Sequence, residues 1–219
     1  MKVDFAKVRV YLVTDPRLNA GRDEETVIRE AVSLGGVGLV QFRSKYLTKR
    51  AYFEQASHLV KICRELGVPL LLNDHVDIAA LLDCDGIHVG QSDLPVSEVR
   101  RLLGPDKTIG LSTHTVEQAL AAQASGADYI NIGPVFATAT KDTPVVPVGM
   151  DMVRAVTAIS RLPVTTMGGI KHANAADVVR AGADRVAVVT AITEAPDIAR
   201  AAADLKAVVE DAIAGRSRG

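Results

Sequence analysis

Short apolar runs rich in β-branched residues alternate with amphipathic segments along the whole chain. Most runs are apolar at nearly every position, which is typical of strands that are covered on both faces. The predicted strands are residues 8–13, 38–42, 69–72, 86–89, 108–111, 129–132, 163–166 and 185–189.

The segments between these runs carry apolar residues at spacings of three and four, as surface helices do. Pro95 predicts the start of one helix and Gly104 its end, and Thr115 is placed to cap the next helix. The last helix is predicted to begin near Pro196, with a frayed tail over residues 215–219. The pattern therefore predicts eight strands and eight helices.

Strict alternation of strands and helices predicts an α/β fold with a parallel sheet and right-handed crossovers. Eight units within 219 residues favour a (β/α)₈ TIM barrel. An open doubly wound sheet is the competing architecture. The chain is shorter than the roughly 250 residues typical of the barrel, so we expect a single domain over residues 1–219.

Composition narrows the classes of partner. Lys plus Arg is 25 and Asp plus Glu is 26, giving a net charge of −1, which argues against coating nucleic acid or an anionic membrane. No apolar run approaches the roughly 18 residues of a membrane span, and charges interrupt the N-terminal residues, unlike a signal peptide. Two cysteines are too few for a disulfide framework. We expect a cytoplasmic protein.

Polar residues and glycines follow nearly every predicted strand. In a barrel, the carboxyl ends of the strands carry the function, so these residues are expected at one mouth. They include Gln41, Arg43, Lys45, Asn73, Asp74, Asp93, Ser112, Thr138, Ala139, Thr140, Lys141, Gly168, Gly169, Val189 and Thr190.

Two groups of these residues suit anions. Gly168 and Gly169, ahead of a helix, let backbone N–H groups approach a phosphate, and Val189-Thr190 follows the next strand, where such barrels often bind phosphate. Arg43 and Lys45 alternate on strand two, so both can face the mouth. The alternatives are a tight turn for the glycines, rim ion pairs for the two cations, and simple solvation for Lys141.

Asp74 and Asp93 end neighbouring strands, where two carboxylates suit Mg²⁺ bound together with substrate phosphates. The alternative for each is a helix cap. Ser112 and His114 lie close in sequence without a third residue to orient them, so a hydrolytic triad is not expected. We interpret His88 as a hydrogen-bonded structural residue, and Cys63 and Cys84 as structural. Two anion-binding regions on one mouth predict an enzyme that joins two phosphorylated small molecules, with diphosphate leaving.

Six motifs, in order between residue 11 and about residue 192, resemble the thiamine phosphate synthase family. They are Gln41-Phe42-Arg43-Ser44-Lys45, Asn73-Asp74, His88-Val89-Gly90-Gln91-Ser92-Asp93, Gly110-Leu111-Ser112-Thr113-His114, Gly133-Pro134-Val135-Phe136 with Thr138-Ala139-Thr140-Lys141, and Gly168-Gly169-Ile170.

The resemblance implies condensation of a hydroxymethylpyrimidine diphosphate with a thiazole phosphate, in which the bond to diphosphate breaks early. Asp74 and Asp93 would bind Mg²⁺. The pyrimidine diphosphate would contact Gln41, Arg43, Lys45, Asn73, Ser112 and Lys141, of which Arg43, Lys45, Ser112 and Lys141 would be catalytic. The thiazole phosphate would contact Thr138, Ala139, Thr140, Gly168, Gly169, Val189 and Thr190.

Two residues depart from the pattern, because Met167 replaces a smaller aliphatic residue and Thr190 replaces a serine. One alternative is a thiazole tautomerase relative with the same barrel, against which the retained Gln91-Ser92-Asp93 and Thr138-Ala139-Thr140-Lys141 argue. The other is a non-catalytic thiamine-phosphate binding protein, which would need no apparatus for a leaving group.

Overall fold

A computed structural model describes residues 2–138, 140 and 146–216. Eight parallel strands close into a barrel in sequence order, with the eighth strand paired to the first. The strands are β1 (Val10–Thr14), β2 (Leu39–Phe42), β3 (Leu70–Asn73), β4 (Gly86–Val89), β5 (Thr108–Thr113), β6 (Tyr129–Ile132), β7 (Val164–Met167) and β8 (Val186–Val188). The predicted barrel is confirmed, and the open doubly wound alternative is wrong.

Helices follow the strands around the outside of the barrel. They are α1 (Glu24–Ser33), α2 (Lys49–Leu66), α3 (Val76–Leu81), α4 (Val96–Leu103), α5 (Val116–Ser125), α6 (Gly149–Ile159), α7 (His172–Arg180), α8 (Thr190–Thr193) and α9 (Ile198–Arg216), with a 3₁₀ turn at Pro16–Leu18. Within the described residues, no helix combines the length and the apolar character that crossing a bilayer demands.

Local sequence signals account for most helix ends. Thr115 accepts a hydrogen bond from the Gln118 N–H at 3.2 Å and caps α5 as predicted. Pro95 precedes α4 and Gly104 ends it, also as predicted. The last βα unit differs from its prediction, because the short helix α8 stands between β8 and α9.

Residues 215 and 216, at the start of the tail that is predicted to fray, belong to helix α9. Helix α9 continues to Arg216, whose Nη1 donates to the carbonyl of Val179 at 2.8 Å and whose Nη2 pairs with Asp184. These two contacts hold the end of α9 against the α7–β8 connection. Residues 217–219 lie outside the described residues.

Alternation along the strands divides the core into two layers. On β1, Val10 and Leu12 face the helices, whereas Tyr11 and Val13 face the barrel interior with Leu39, Leu71 and Tyr129. Gly110 leaves room for the Tyr129 ring, since a Cβ there would lie 2.1 Å from Tyr129 Cζ. Side chains of the described residues therefore fill this part of the barrel interior.

Candidate active site

Two adjoining cavities open at the carboxyl ends of the strands. The first, of about 320 Å³, contains most of the predicted polar residues: Gln41, Arg43, Lys45, Asn73, Asp74, Asp93, Ser112, Thr138, Thr140 and Gly168. The second, of about 300 Å³, is lined by Thr138, Thr140, Gly168, Gly169, Val189 and Thr190 among others. Thr138, Thr140, Met167 and Gly168 line both cavities. Two ligands seated in these cavities would therefore meet at this shared wall.

Arg43 faces the first cavity just beyond β2. Its Nη1 lies 3.3 Å from Oδ2 of Asp15, a buried carboxylate at the end of β1. The Tyr46 hydroxyl donates to the other oxygen of Asp15 at 3.0 Å, and the Arg17 guanidinium stacks 3.9 Å above the Tyr46 ring. Burial, aided by Asp15, raises the pKa of Tyr46 to about 12, so the phenol stays a donor. Asp15 thus anchors Arg43.

Lys45 donates to Oδ2 of Asp74 across the same cavity. Arg43 and Lys45 follow β2, which ends at Phe42, and do not alternate on the strand as predicted. Both have ion-pair partners, as in the alternative interpretation, and both also line the cavity at the mouth. The carboxylates of Asp15 and Asp74 match the two cations in formal charge, so a phosphate entering here would share Arg43 and Lys45 with them.

Asp74 has a backbone φ of +61°, in the left-handed region that few residues other than glycine adopt. Its N–H donates to the His88 carbonyl at 3.0 Å, tying the residue to β4. Burial raises the pKa of Asp74 above its ordinary value; Lys45 opposes this rise and Asp93 adds to it. A strained backbone that holds a partly buried carboxylate beside a second one is typical of functional sites.

Asp93 accepts a hydrogen bond from the Gly90 N–H at 2.6 Å, which closes the turn after β4. His75 and Pro95, not the two aspartates, occupy the cap positions of α3 and α4. The alternative interpretation of Asp74 and Asp93 as helix caps is therefore wrong.

The donor set around the two aspartates fits Mg²⁺. Both carboxylates line the first cavity and repel one another, as the effect of Asp93 on Asp74 shows. Among the residues that the structure describes, no cluster of three or more His, Cys, Asp or Glu side chains could hold a metal. A Mg²⁺ here would therefore have two protein carboxylates and would need oxygens from phosphates and water, which it prefers.

Ser112 does not pair with His114. Its Oγ lies 2.8 Å from Nε2 of His88, whose Nδ1 lies 2.8 Å from the Tyr129 hydroxyl, whereas His114 Nδ1 lies 2.6 Å from the Gly133 carbonyl. His88 is hydrogen-bonded as expected, but it also lines the first cavity. Burial raises the pKa of Tyr129 well above its ordinary value, so Tyr129 carries no charge to stabilise an imidazolium. This is not a hydrolytic triad.

The glycine pair is required by close packing. Gly168 and Gly169 have φ of +99° and +64°. A Cβ on Gly168 would lie 2.3 Å from Pro134 Cβ, and a Cβ on Gly169 would lie 2.5 Å from the Ala137 carbonyl oxygen. The tight turn proposed as an alternative is present, and it also forms the wall of both cavities. Thr190 begins α8, where the first N–H groups have no partner within the helix. Ala139 and Lys141, also predicted for this site, lie outside the described residues.

Several lining residues were not singled out from the sequence. Asn131 reaches the first cavity, and Leu18, Lys171 and Glu194 reach the second. Asn131 breaks the apolar run of β6, and its Oδ1 accepts from Thr165 Oγ1 at 2.8 Å. A buried amide within an apolar strand was the signal available for it.

A closed barrel with two adjoining polar cavities at one mouth defines a (β/α)₈-barrel enzyme. Residues 10–192 match the family model described as thiamine monophosphate synthase. A thiamine-phosphate synthase of Chloroflexus aurantiacus is 47% identical over 92% of each chain, and that of Shouchella clausii is 44% identical over 93% of this chain and 97% of its own. The structure of a thiamine phosphate pyrophosphorylase from Pyrococcus furiosus superimposes with a TM-score of 0.85 at 33% identity, covering 95% of this chain and 98% of its own. The chain belongs to the thiamine monophosphate synthase family and is a transferase.

Proposed function

We propose that the protein condenses 4-amino-2-methyl-5-(diphosphooxymethyl)pyrimidine with 4-methyl-5-(2-phosphooxyethyl)thiazole to give thiamine phosphate and diphosphate. The observation that carries this proposal is the pair of adjoining cavities with a shared wall of Thr138, Thr140, Met167 and Gly168. A reaction that joins two phosphorylated molecules needs two anion-binding sites whose reacting ends meet. The names of the relatives support the same chemistry.

In this proposal the first cavity binds the pyrimidine diphosphate. Arg43 and Lys45 offer a guanidinium fork and an ammonium to the diphosphate, and both already line the cavity. Gln41, Asn73 and Ser112 contribute neutral polar contacts. Lys141, outside the described residues, is assigned to the same diphosphate on the family pattern alone.

The second cavity binds the thiazole phosphate. Gly168, Gly169, Val189 and Thr190 line this cavity together with the charged residues Lys171 and Glu194, and backbone N–H groups after the seventh and eighth strands are a common phosphate site in these barrels. Thr138 and Thr140, whose hydroxyls lie 2.7 Å apart, complete its wall towards the first cavity. Ala139 is assigned here on the family pattern. Thr190 keeps the hydroxyl of the expected serine, and Met167 adds apolar surface where the two ligands meet.

Asp74 and Asp93 would hold Mg²⁺, which when bound supplies positive charge to a diphosphate leaving group. Side chains of the protein itself stabilise the remaining charge on the leaving group. Arg43 and Lys45 stabilise the charge that develops on the bridging oxygen as the carbon–oxygen bond breaks and its electron pair leaves with diphosphate. The lone pair of the thiazole nitrogen then forms the new carbon–nitrogen bond, and no proton moves. Such a reaction depends on positioning and needs no protein nucleophile.

We also propose a cytoplasmic location. Cys63 and Cys84 are both buried free thiols, and burial raises the pKa of each to about 12, which keeps them as unreactive thiols. A chain that retains two thiols and no disulfide suits a reducing compartment.

The test combines purified protein, Mg²⁺ and both substrates, and follows diphosphate and thiamine phosphate together. Equal amounts of the two products, formed only when both substrates are present, would support the proposal. Diphosphate release without the thiazole, or no thiamine phosphate under conditions where a known synthase works, would contradict it.

A pair of variants tests the metal assignment. Asp93→Asn keeps the side chain's size but removes one carboxylate, so its Mg²⁺ requirement should rise by at least tenfold and its activity should fall. Asp106→Asn is the matched control, since Asp106 is exposed in the connection ahead of β5, at the opposite end of the barrel. An unchanged Mg²⁺ requirement in Asp93→Asn would remove Asp93 from the site.

A further inference from the structure

A chain of hydrogen bonds crosses the barrel interior beneath the first cavity. The Tyr11 hydroxyl lies 3.0 Å from that of Tyr129, which lies 2.8 Å from Nδ1 of His88, and His88 Nε2 lies 2.8 Å from Ser112 Oγ. At the other end, Nε2 of Gln41 donates to the Tyr11 hydroxyl. Gln41, His88 and Ser112 line the cavity, whereas Tyr11 and Tyr129 are fully buried below it.

The number of protons available determines which group donates in each of these hydrogen bonds. Each tyrosine hydroxyl has one proton to donate. Because Gln41 donates to Tyr11, the Tyr129 oxygen is the acceptor that the described contacts leave for the buried Tyr11 proton. The Tyr129 proton then goes to His88 Nδ1. Nδ1 is then the acceptor of a neutral imidazole, and the ring proton lies on Nε2. Nε2–H donates to Ser112 Oγ, so the hydroxyl proton of Ser112 is directed away from His88.

The opposite order of donors would have the opposite effect at the cavity. Ser112 would then donate its hydroxyl proton to His88 Nε2. The Tyr11 hydroxyl, at the other end of the hydrogen-bonded series, would need an acceptor atom on Gln41. The atom of Gln41 that meets Tyr11 is the amide nitrogen, which selects the first order. Gln91 Nε2 also donates to the Ser112 backbone carbonyl at 2.7 Å, which fixes the backbone that carries the hydroxyl.

We propose that Tyr129 and His88 are positioning residues that hold the Ser112 hydroxyl as a hydrogen-bond donor towards the diphosphate group in the first cavity. The proposal rests on the proposed function for the identity of the anion. It gives a role to two fully buried tyrosines whose hydroxyls meet in the barrel interior. Preorganised donors favour a leaving anion because they need not reorient during the reaction.

The first test requires no substrate and no activity. Protein labelled with ¹⁵N-histidine reports in long-range ¹H–¹⁵N spectra which His88 nitrogen carries the proton. We expect the Nε2–H form in the native protein and a mixture of both forms in Tyr129→Phe, which keeps the ring packed 4.9 Å from Phe5. An Nδ1–H form in the native protein would overturn the proposal even if the enzyme is a synthase.

The second test measures binding of inorganic diphosphate with Mg²⁺ by calorimetry. Ser112→Ala and Tyr129→Phe should each weaken binding, by about tenfold and about fivefold respectively, since hydrogen bonds to charged groups are among the stronger ones. In the Ser112→Ala background, Tyr129→Phe should have no further effect, because it acts through that hydroxyl. Independent, additive losses would overturn the proposal.

Two further variants complete the design. Tyr11→Phe interrupts the chain one step earlier and should weaken diphosphate binding in the same direction, so it serves if Tyr129→Phe does not fold. Thr108→Val removes another buried hydroxyl from the same strand as Ser112, at its amino end, where it accepts from the Val3 N–H at 2.8 Å. This control should lower stability without changing diphosphate affinity. An equal loss of affinity in Thr108→Val would show that the effect is only structural.

Discussion

Arg43 Nη1 lies 3.3 Å from Oδ2 of Asp15, so a carboxylate from the first βα unit holds the guanidinium of the second at the mouth of the barrel. The Asp15 side chain is 4% exposed and that of Arg43 is 21% exposed. At this burial the pair fixes the direction of the guanidinium and keeps it facing the first cavity. Asp15 is therefore a positioning residue for the diphosphate site.

Asp15→Asn should lower kcat/KM for the pyrimidine diphosphate by about ten- to a hundredfold, since hydrogen bonds to charged groups contribute about 1.5–3 kcal/mol. Steady-state kinetics with that substrate varied measures the loss. Tyr46→Phe is the matched control, because it removes the other side-chain donor to Asp15 and leaves Arg43 in place; its effect should stay below threefold. Native kinetics in Asp15→Asn would contradict the assigned role.

The pair of Asp15 and Arg43 shows which features of the site could be predicted from the sequence and which could not. The alternation of apolar runs and helices was enough to predict the barrel. Because functional residues of such barrels lie at the carboxyl ends of the strands, the sequence also predicted that Arg43, Lys45, Asp74 and Gly168 lie at the mouth, where the structure has them. That Arg43 meets Asp15 depends on the register of β1 and β2 and on the loop at Pro16–Leu18. Contacts of this kind join residues far apart in sequence, and no local pattern encodes them.

Local patterns also do not reveal contacts that depend on the direction of a side chain. Ser112 and His114 are two residues apart on β5 and its end, but the structure pairs Ser112 with His88 from β4. Tyr11 and Tyr129 lie in apolar runs that indicate burial but say nothing about two hydroxyls meeting across the barrel. Register and barrel closure determine these pairings, and both follow from the assembled sheet.

Gly168→Ala should raise the KM for the thiazole phosphate by at least tenfold. An added Cβ would lie 2.3 Å from Pro134 Cβ, so the wall common to both cavities must shift. Gly126→Ala is the control, since Gly126 has a similar φ of +90° but a Cβ there meets nothing within 4 Å. Both variants carry the cost of a left-handed alanine, about 1–2 kcal/mol, but only Gly168→Ala should change kinetics. Equal KM values in the two variants would contradict this assignment.

Glu24 is a buried carboxylate that accepts hydrogen bonds from Asn19 at 3.1 Å and Gln55 at 2.5 Å. Burial raises the pKa of Glu24 from 4.5 to about 7, against the effect of the Asn19 hydrogen bond. The folded state therefore binds a proton that the unfolded state releases between these pH values. The free energy of unfolding should fall as pH rises from about 4.5 to about 7, by at most about 3 kcal/mol.

Glu24→Gln should remove this slope, so the variant should be more stable than the native protein at pH 8 and similar to it at pH 4.5. Glutamine also offers a donor beside Asn19 Oδ1, which is buried without a hydrogen-bond partner among the described residues. Urea unfolding at several pH values measures the difference. Glu54→Gln, at an exposed position on α2, should keep the native slope. A slope that survives in Glu24→Gln would assign the pH dependence to another group.

Arg100 joins two connections at the amino end of the barrel, the one from α4 to β5 and the one from α5 to β6. Its Nη1 donates to the Lys107 carbonyl at 2.6 Å and the Gly104 carbonyl at 3.0 Å, and its Nη2 donates to Asp128 at 2.5 Å and the Gly126 carbonyl at 3.1 Å. Asp128 in turn accepts from the N–H of Ile109, at the start of β5. One guanidinium thus satisfies carbonyls that follow both α4 and α5.

Arg100→Ala should lower the free energy of unfolding by about 2–3 kcal/mol, because it leaves Asp128 and three carbonyls without this donor in a partly buried place. Kinetic constants should stay native, since the mouth lies at the other end of the strands. Arg101→Ala is the matched control: the Arg101 side chain is 82% exposed and pairs with Glu98, one turn away, so its loss should stay within about 0.5 kcal/mol. Arg100→Lys keeps the charge but not the fork and should fall between the two. Equal unfolding free energies for Arg100→Ala and Arg101→Ala would show that the carbonyls find other partners.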